Sequence, residues 1–137
     1  MKLTIVIFLF HMISYGQSIY GKWELISFQD DKIYYSVQND SLSPKDHWDK
    51  NDSMLPMVKQ GFKDTNIEFT KKEHLILKSL IVGDKNSKYK VDSKTNLIIL
   101  DELDINDEKI FYKYKVLNDI LILNLTNDIT LTFRRNI

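Results

Sequence analysis

The sequence predicts an all-β protein, an antiparallel β-barrel of eight to ten strands with one short helical insert after its first strands. Beyond Gln17, short runs rich in Ile, Leu, Tyr, Phe, Val and Thr are broken every eight to twelve residues by Asn, Asp, Lys, Ser or Gly, a spacing typical of sandwiches and barrels. In the C-terminal third the apolar and polar residues alternate with the period of a half-buried strand. That alternation is interrupted by the dipeptides Asn118-Asp119 and Asn127-Asp128, which tolerate the positive φ of tight hairpin turns.

The first element is a leader. Met1-Lys2 supplies one positive charge, Leu3 to Ile13 is apolar except for Thr4 and His11, and Ser14-Tyr15-Gly16 follows. These are the three regions of a secretory signal peptide. About eleven apolar residues rise only ~16 Å as a helix, roughly half a hydrocarbon core, so the run is too short for a comfortable span. Cleavage before Gln17 divides the chain into a signal peptide, residues 1–16, and one domain, residues 17–137. The expected address is exported: periplasm, cell envelope or medium.

Strands are expected at Tyr20 to Phe28, Lys32 to Val37, Thr65 to Thr70, His74 to Ile81, Ser87 to Asp92, Leu97 to Asp101, Lys109 to Leu117, Ile120 to Thr126 and Ile129 to Arg135. The last three form an antiparallel meander, with Tyr112, Tyr114 and Val116 on one face and Lys113 and Lys115 on the other. Between the early strands, Ser43-Pro44-Lys45-Asp46 reads as a helix start, with a capping Ser and a Pro at the first helical position. Trp48, Met54, Leu55, Met57, Val58 and Phe62 recur at helical spacing, while Asn51-Asp52-Ser53 and Pro56 divide the segment into two short helices.

Composition excludes several classes. The chain has no cysteine, hence no disulfide framework, thiolate nucleophile or lipid-acceptor cysteine. Without Lys2, eighteen basic side chains face nineteen acidic ones, mixed in sign along the chain, and no basic stripe marks a nucleic-acid or anionic-membrane surface. The abundance of Lys, Asn, Asp and Ile suggests an AT-rich bacterial source. His47 with Asp46, Asp49 and Asp52, and Asp104 to Glu108, are read as solvated turns. The second lacks the Gly that a calcium loop needs at its sixth position, where Lys109 stands. No nucleophile elbow or Gly-rich phosphate loop is present, so no catalytic residue, metal or cofactor is assigned and the chain is not expected to be an enzyme.

Gly21-Lys22-Trp23 opens the domain, and Arg135 stands in phase with the apolar residues of the last strand. Together they resemble the lipocalin-like (calycin) barrels, and above all the small lipocalin-like domains exported by bacteria. The resemblance implies that Trp23 crosses the closed end of the barrel with Arg135 stacked on its indole, so Gly21, Trp23 and Arg135 have a structural role. By the same analogy the helical insert covers the barrel mouth, and Trp48, Met54 and Met57, with Tyr112 and Tyr114 from the barrel wall, are the candidate ligand-binding residues. A plainer possibility is that the helix completes the core.

The function implied is non-covalent binding of a small apolar ligand by a monomer with no integral membrane segment after cleavage. The alternatives are an envelope protein-interaction or inhibitor module with a filled barrel, and a small hydrolase or isomerase on the same fold.

Overall fold

The computed structural model describes residues 18–43, 53–125 and 128–136. The leader, Trp48, His47 and the proposed helix start at Pro44 lie outside the described residues. Among the described residues ten strands and one helix follow in order: β1 (Gly21–Gln29), β2 (Tyr34–Ser36), β3 (Ser41–Ser43), α1 (Leu55–Lys63), β4 (Asn66–Phe69), β5 (His74–Lys78), β6 (Lys85–Asp92), β7 (Leu97–Leu103), β8 (Lys109–Leu117), β9 (Ile120–Asn124) and β10 (Thr130–Arg135). All strand pairings are antiparallel. β4 to β10 form a meander, and β1 closes it by pairing β10 on one edge and β4 on the other. The result is a closed eight-stranded barrel, with the β2–β3 hairpin attached outside the ring.

β1 makes this arrangement possible because its two halves have different partners. Gly21 to Glu24 pair with β4, whereas Ser27 to Gln29 pair with β2. Between them the register against β10 slips, from Leu25 opposite Phe133 to Ser27 opposite Thr132. Ile26 is therefore an extra residue in a β-bulge, and the inward face passes from Trp23 and Leu25 to Phe28. A bulge of this kind bends and twists its strand, which lets β2 and β4 diverge.

The gap opened by that divergence is filled by α1. Pro56 sits in its first turn, where a missing N–H costs nothing. Phe62, 1% exposed, stacks on Tyr35 with ring centroids 4.7 Å apart and meets Phe28 at 4.9 Å. The Tyr35 hydroxyl donates to Asp40 Oδ1 at 2.8 Å, and Lys63 and Lys59 approach the same carboxylate at 3.3 and 3.9 Å. The hydrogen bond from Tyr35 and the two lysines hold the Asp40 carboxyl below its ordinary range. Burial, then Asp40, pushes the Tyr35 phenol up. This cluster ties the hairpin to the helix.

The barrel interior is one continuous apolar core. Trp23, Leu75, Ile98, Leu100, Leu121 and Phe133 are fully buried in it, and Tyr35 of the outer hairpin joins the same core through Phe62. Alternation holds on β9 and β10, where Leu121, Leu123, Leu131 and Phe133 face inward. Among the described residues no helix is long and apolar enough to cross a membrane.

Candidate functional site

The two ends of the barrel differ in construction. At the closed end Trp23 and Arg135 are paired positions of β1 and β10, and the guanidinium carbon lies 4.2 Å from the indole centroid. The indole Nε1 donates to the Ile19 carbonyl at 2.8 Å, and Arg135 Nη1 and Nη2 donate to the carbonyls of Tyr20 and Ser18 at 2.7 and 2.6 Å. The segment before β1 is thus strapped across the barrel floor, its carbonyls satisfied by side chains where no ladder reaches. Gly21 permits this strap, since its φ is +117° and a Cβ would sit 3.3 Å from Arg135 Nη1. Asp119 adds an ion pair to Arg135 Nε at 3.7 Å.

The opposite end is open and hollow. The β1–β2, β5–β6, β7–β8 and β9–β10 connections meet around a cavity of about 590 Å³, within the range of small-molecule sites. Phe28 and Tyr112, 4% and 6% exposed, reach it from the core, and Ile33, Ile81, Val82, Ile110, Leu125 and Ile129 supply further apolar lining. Asp30, Lys85, Asp104 and Lys109 are its charged residues. Three of these four have partners. Asp30 Oδ1 accepts the N–H groups of Lys32 and Ile33 at 2.8 and 2.7 Å, and Asp104 Oδ1 accepts those of Asn106 and Glu108 at 2.8 and 3.0 Å. Lys85 pairs with Glu102 at 3.2 Å, which joins β6 to β7 where the ladder from Tyr89 to Asp92 has ended.

The wall bearing Ile81 and Val82 is ordered by polar contacts beneath it. The Ser79 hydroxyl accepts both of their N–H groups at 3.2 Å, Asp84 Oδ1 accepts the Ser79 N–H at 2.9 Å, and buried Thr65 meets Ser79 Oγ at 3.0 Å. Thr65 in turn donates to the Gly61 carbonyl at 2.9 Å. The mouth is therefore fastened to the C-terminal turn of α1.

Tyr112 is the most buried of the polar residues that line the cavity, and among the described residues its hydroxyl has no hydrogen-bond partner. Burial, then the Glu102 carboxylate, raises its pKa, so at neutral pH it is an uncharged phenol able to donate or accept. Tyr114 faces inward two positions further along β8, half-buried against the core and away from the cavity lining. Met54 and Met57 are 52% and 56% exposed and do not line the cavity, because the helix turns Phe62 and Gly61 to the barrel instead. Tyr34 is largely exposed, and Tyr89 packs edge-on against Phe69 at 5.3 Å with its hydroxyl donating to the Thr70 carbonyl.

Sequence reasoning therefore missed most of the lining. Phe28, Ile33, Ile81, Val82, Ile110, Leu125 and Ile129 flank alternate turns, and in a meander alternate turns fall at the same end of the barrel. That parity was the available signal. Among the described residues no three His, Cys, Asp or Glu side chains are grouped so as to hold a metal ion. Asp104 to Glu108 form a turn closed by the Asp104 carboxylate, with Asp107 at φ 59°.

No protein-family model matches the chain, and no curated protein matches it. Among solved structures the barrel is similar to the crystal structure of a DUF4847 family protein from Bacteroides vulgatus, with a TM-score of 0.50 and 13% identity over 85% of this chain and 92% of that one. At that identity the likeness is one of fold.

Proposed function

We propose that this chain is an exported calycin-like binding protein that holds a small, largely apolar molecule non-covalently in the mouth of its barrel. The observation that carries the reading is the division of the interior. The core is packed from Trp23 up to Phe28 and Tyr112, and a cavity of about 590 Å³ lies above them. Apolar walls with few polar groups are what such ligands require. We read it as a binding protein and not an enzyme, because Asp30, Asp104 and Lys85 are occupied by turn and ion-pair contacts. Export rests on the leader at residues 1–16.

The test is native mass spectrometry and solvent extraction of residues 17–137 purified from the source organism, followed by titration with the neutral fluorophore N-phenyl-1-naphthylamine. Saturable fluorescence gain, weakened when Tyr112→Trp fills the cavity, supports the reading. A clean apo mass with no probe response in the wild type rejects it.

A second reading, a protein-interaction module, is favoured by Leu80 and Ile105, which stand 83% and 100% exposed on turns at the mouth. Here Leu80→Asp and Ile105→Asp would abolish partner capture while leaving probe binding intact.

A further inference from the structure

The charges of this protein are mixed in sign along the chain but sorted in space. At the mouth, the β1–β2 turn carries Asp30 and Asp31, β5–β6 carries Asp84, β7–β8 carries Asp104, Asp107 and Glu108, and β9–β10 carries Asp128. Against these acids the described residues of the four turns offer only Lys32. Turns at the closed end lean the other way, with Lys71, Lys72 and Lys94 against Glu73 and Asp119, the last already paired with Arg135. Lys85 and Lys109 reach the cavity from the first positions of β6 and β8, but Glu102 neutralises Lys85. Backbone N–H bonds to Asp30 and Asp104 fix those carboxylates in place without removing their charge.

An acidic rim alone specifies no ligand. The second observation is Tyr112, a residue 6% exposed that lines the same cavity and whose hydroxyl has no partner among the described residues. Its oxygen can accept a hydrogen bond from a nitrogen donor. We propose that the mouth selects amphipathic amines: an apolar body packs on Phe28 and the apolar walls, and a protonated nitrogen donates a hydrogen bond to the Tyr112 hydroxyl within the field of the acidic rim. This rests on the binding reading above and adds the ligand's charge to it. A mouth lined with one sign of charge over low-dielectric walls concentrates counter-ions of the opposite sign, and a carboxylate of equal chain length meets repulsion from the same groups.

Decylamine, decanol and decanoate, matched in chain length, are used to displace N-phenyl-1-naphthylamine at pH 7 in low salt. Decylamine is expected to bind about tenfold tighter than decanol, with decanoate weakest, and the spread should collapse in about 0.5 M salt, where the Debye length falls to a few ångströms. Asp31→Lys with Glu108→Lys, both exposed residues whose carboxylates do not close their turns, should erase the preference while leaving decanol affinity unchanged. Decanoate binding as tightly as decylamine, or a preference insensitive to salt, overturns amine selection while the binding reading stands. Failure of all three, and of the probe itself, overturns both.

Discussion

Arg135 stacks on Trp23 while its two terminal nitrogens hold the carbonyls of Tyr20 and Ser18, so one side chain closes the barrel floor and anchors the segment that precedes β1. Arg135→Ala removes a cation–π contact and two charge-assisted hydrogen bonds, and should cost about 2–4 kcal/mol in urea unfolding. Arg135→Lys keeps the charge but not the fork, and should recover less than half of that. Full recovery by lysine would show that charge alone matters there.

Phe62 and Met57 lie on the same helix with opposite environments. Phe62→Ala empties a site between Phe28 and Tyr35 and should destabilise by about 3–5 kcal/mol. Met57→Ala changes an exposed position and should stay within about 0.5 kcal/mol. Equal effects in denaturant titrations would contradict the role of α1 as a wall of the core.

Asp40 joins the β2–β3 hairpin to α1, and its carboxyl lies below the ordinary value of 3.8. A depressed folded-state pKa contributes stability above the unfolded value and loses it as pH falls through the folded one. The stability difference between wild type and Asp40→Asn should therefore shrink as pH is lowered below 3.8, as followed by thermal melts across that window.

Tyr89 has the opposite sign. Burial, then Tyr20 and Glu73, pushes its phenol from 10.0 to about 12. The neutral form is favoured in the folded state, so its contribution is complete below pH 10 and is lost as pH rises towards 12. Tyr89→Phe should be slightly less stable at pH 7, for loss of the bond to Thr70, and should show a smaller loss of stability between pH 10 and 12.

The closed end of the barrel was legible because a glycine, an aromatic and an in-phase arginine carry its geometry in three residues. The C-terminal meander was legible because strict alternation reports a half-buried strand, and Asn118 adopts φ 53° in its turn as an Asn readily can. Other features depend on tertiary contacts that no local pattern carries. The strand expected over Lys32 to Val37 is present as the shorter β2, because β1 offers only Ser27 to Gln29 for pairing, and β3, at Ser41 to Ser43, has no counterpart among the expected strands. His74 to Ile81 was expected to run on, yet Ser79 and Gly83, at φ 89°, turn the chain after Lys78. Pro56 stands inside the first turn of the helix that begins at Leu55. The sorting of charge between the two ends is invisible to a reading of net charge, since it appears only when every second turn is taken together.

The pairing of β1 with β10 joins residues more than one hundred positions apart, from Trp23 to Arg135. Such a contact carries a large loop-closure entropy, and proteins rich in long-range pairings fold slowly. During synthesis β1 is made early, yet its full ladder must wait for the last described strand. Until then its β10-facing edge is unpaired, an invitation to foreign strands. The bulge at Ile26 belongs to the β1–β10 ladder itself, so the twist that seats β2 and β4 is complete only once the last described strand has docked.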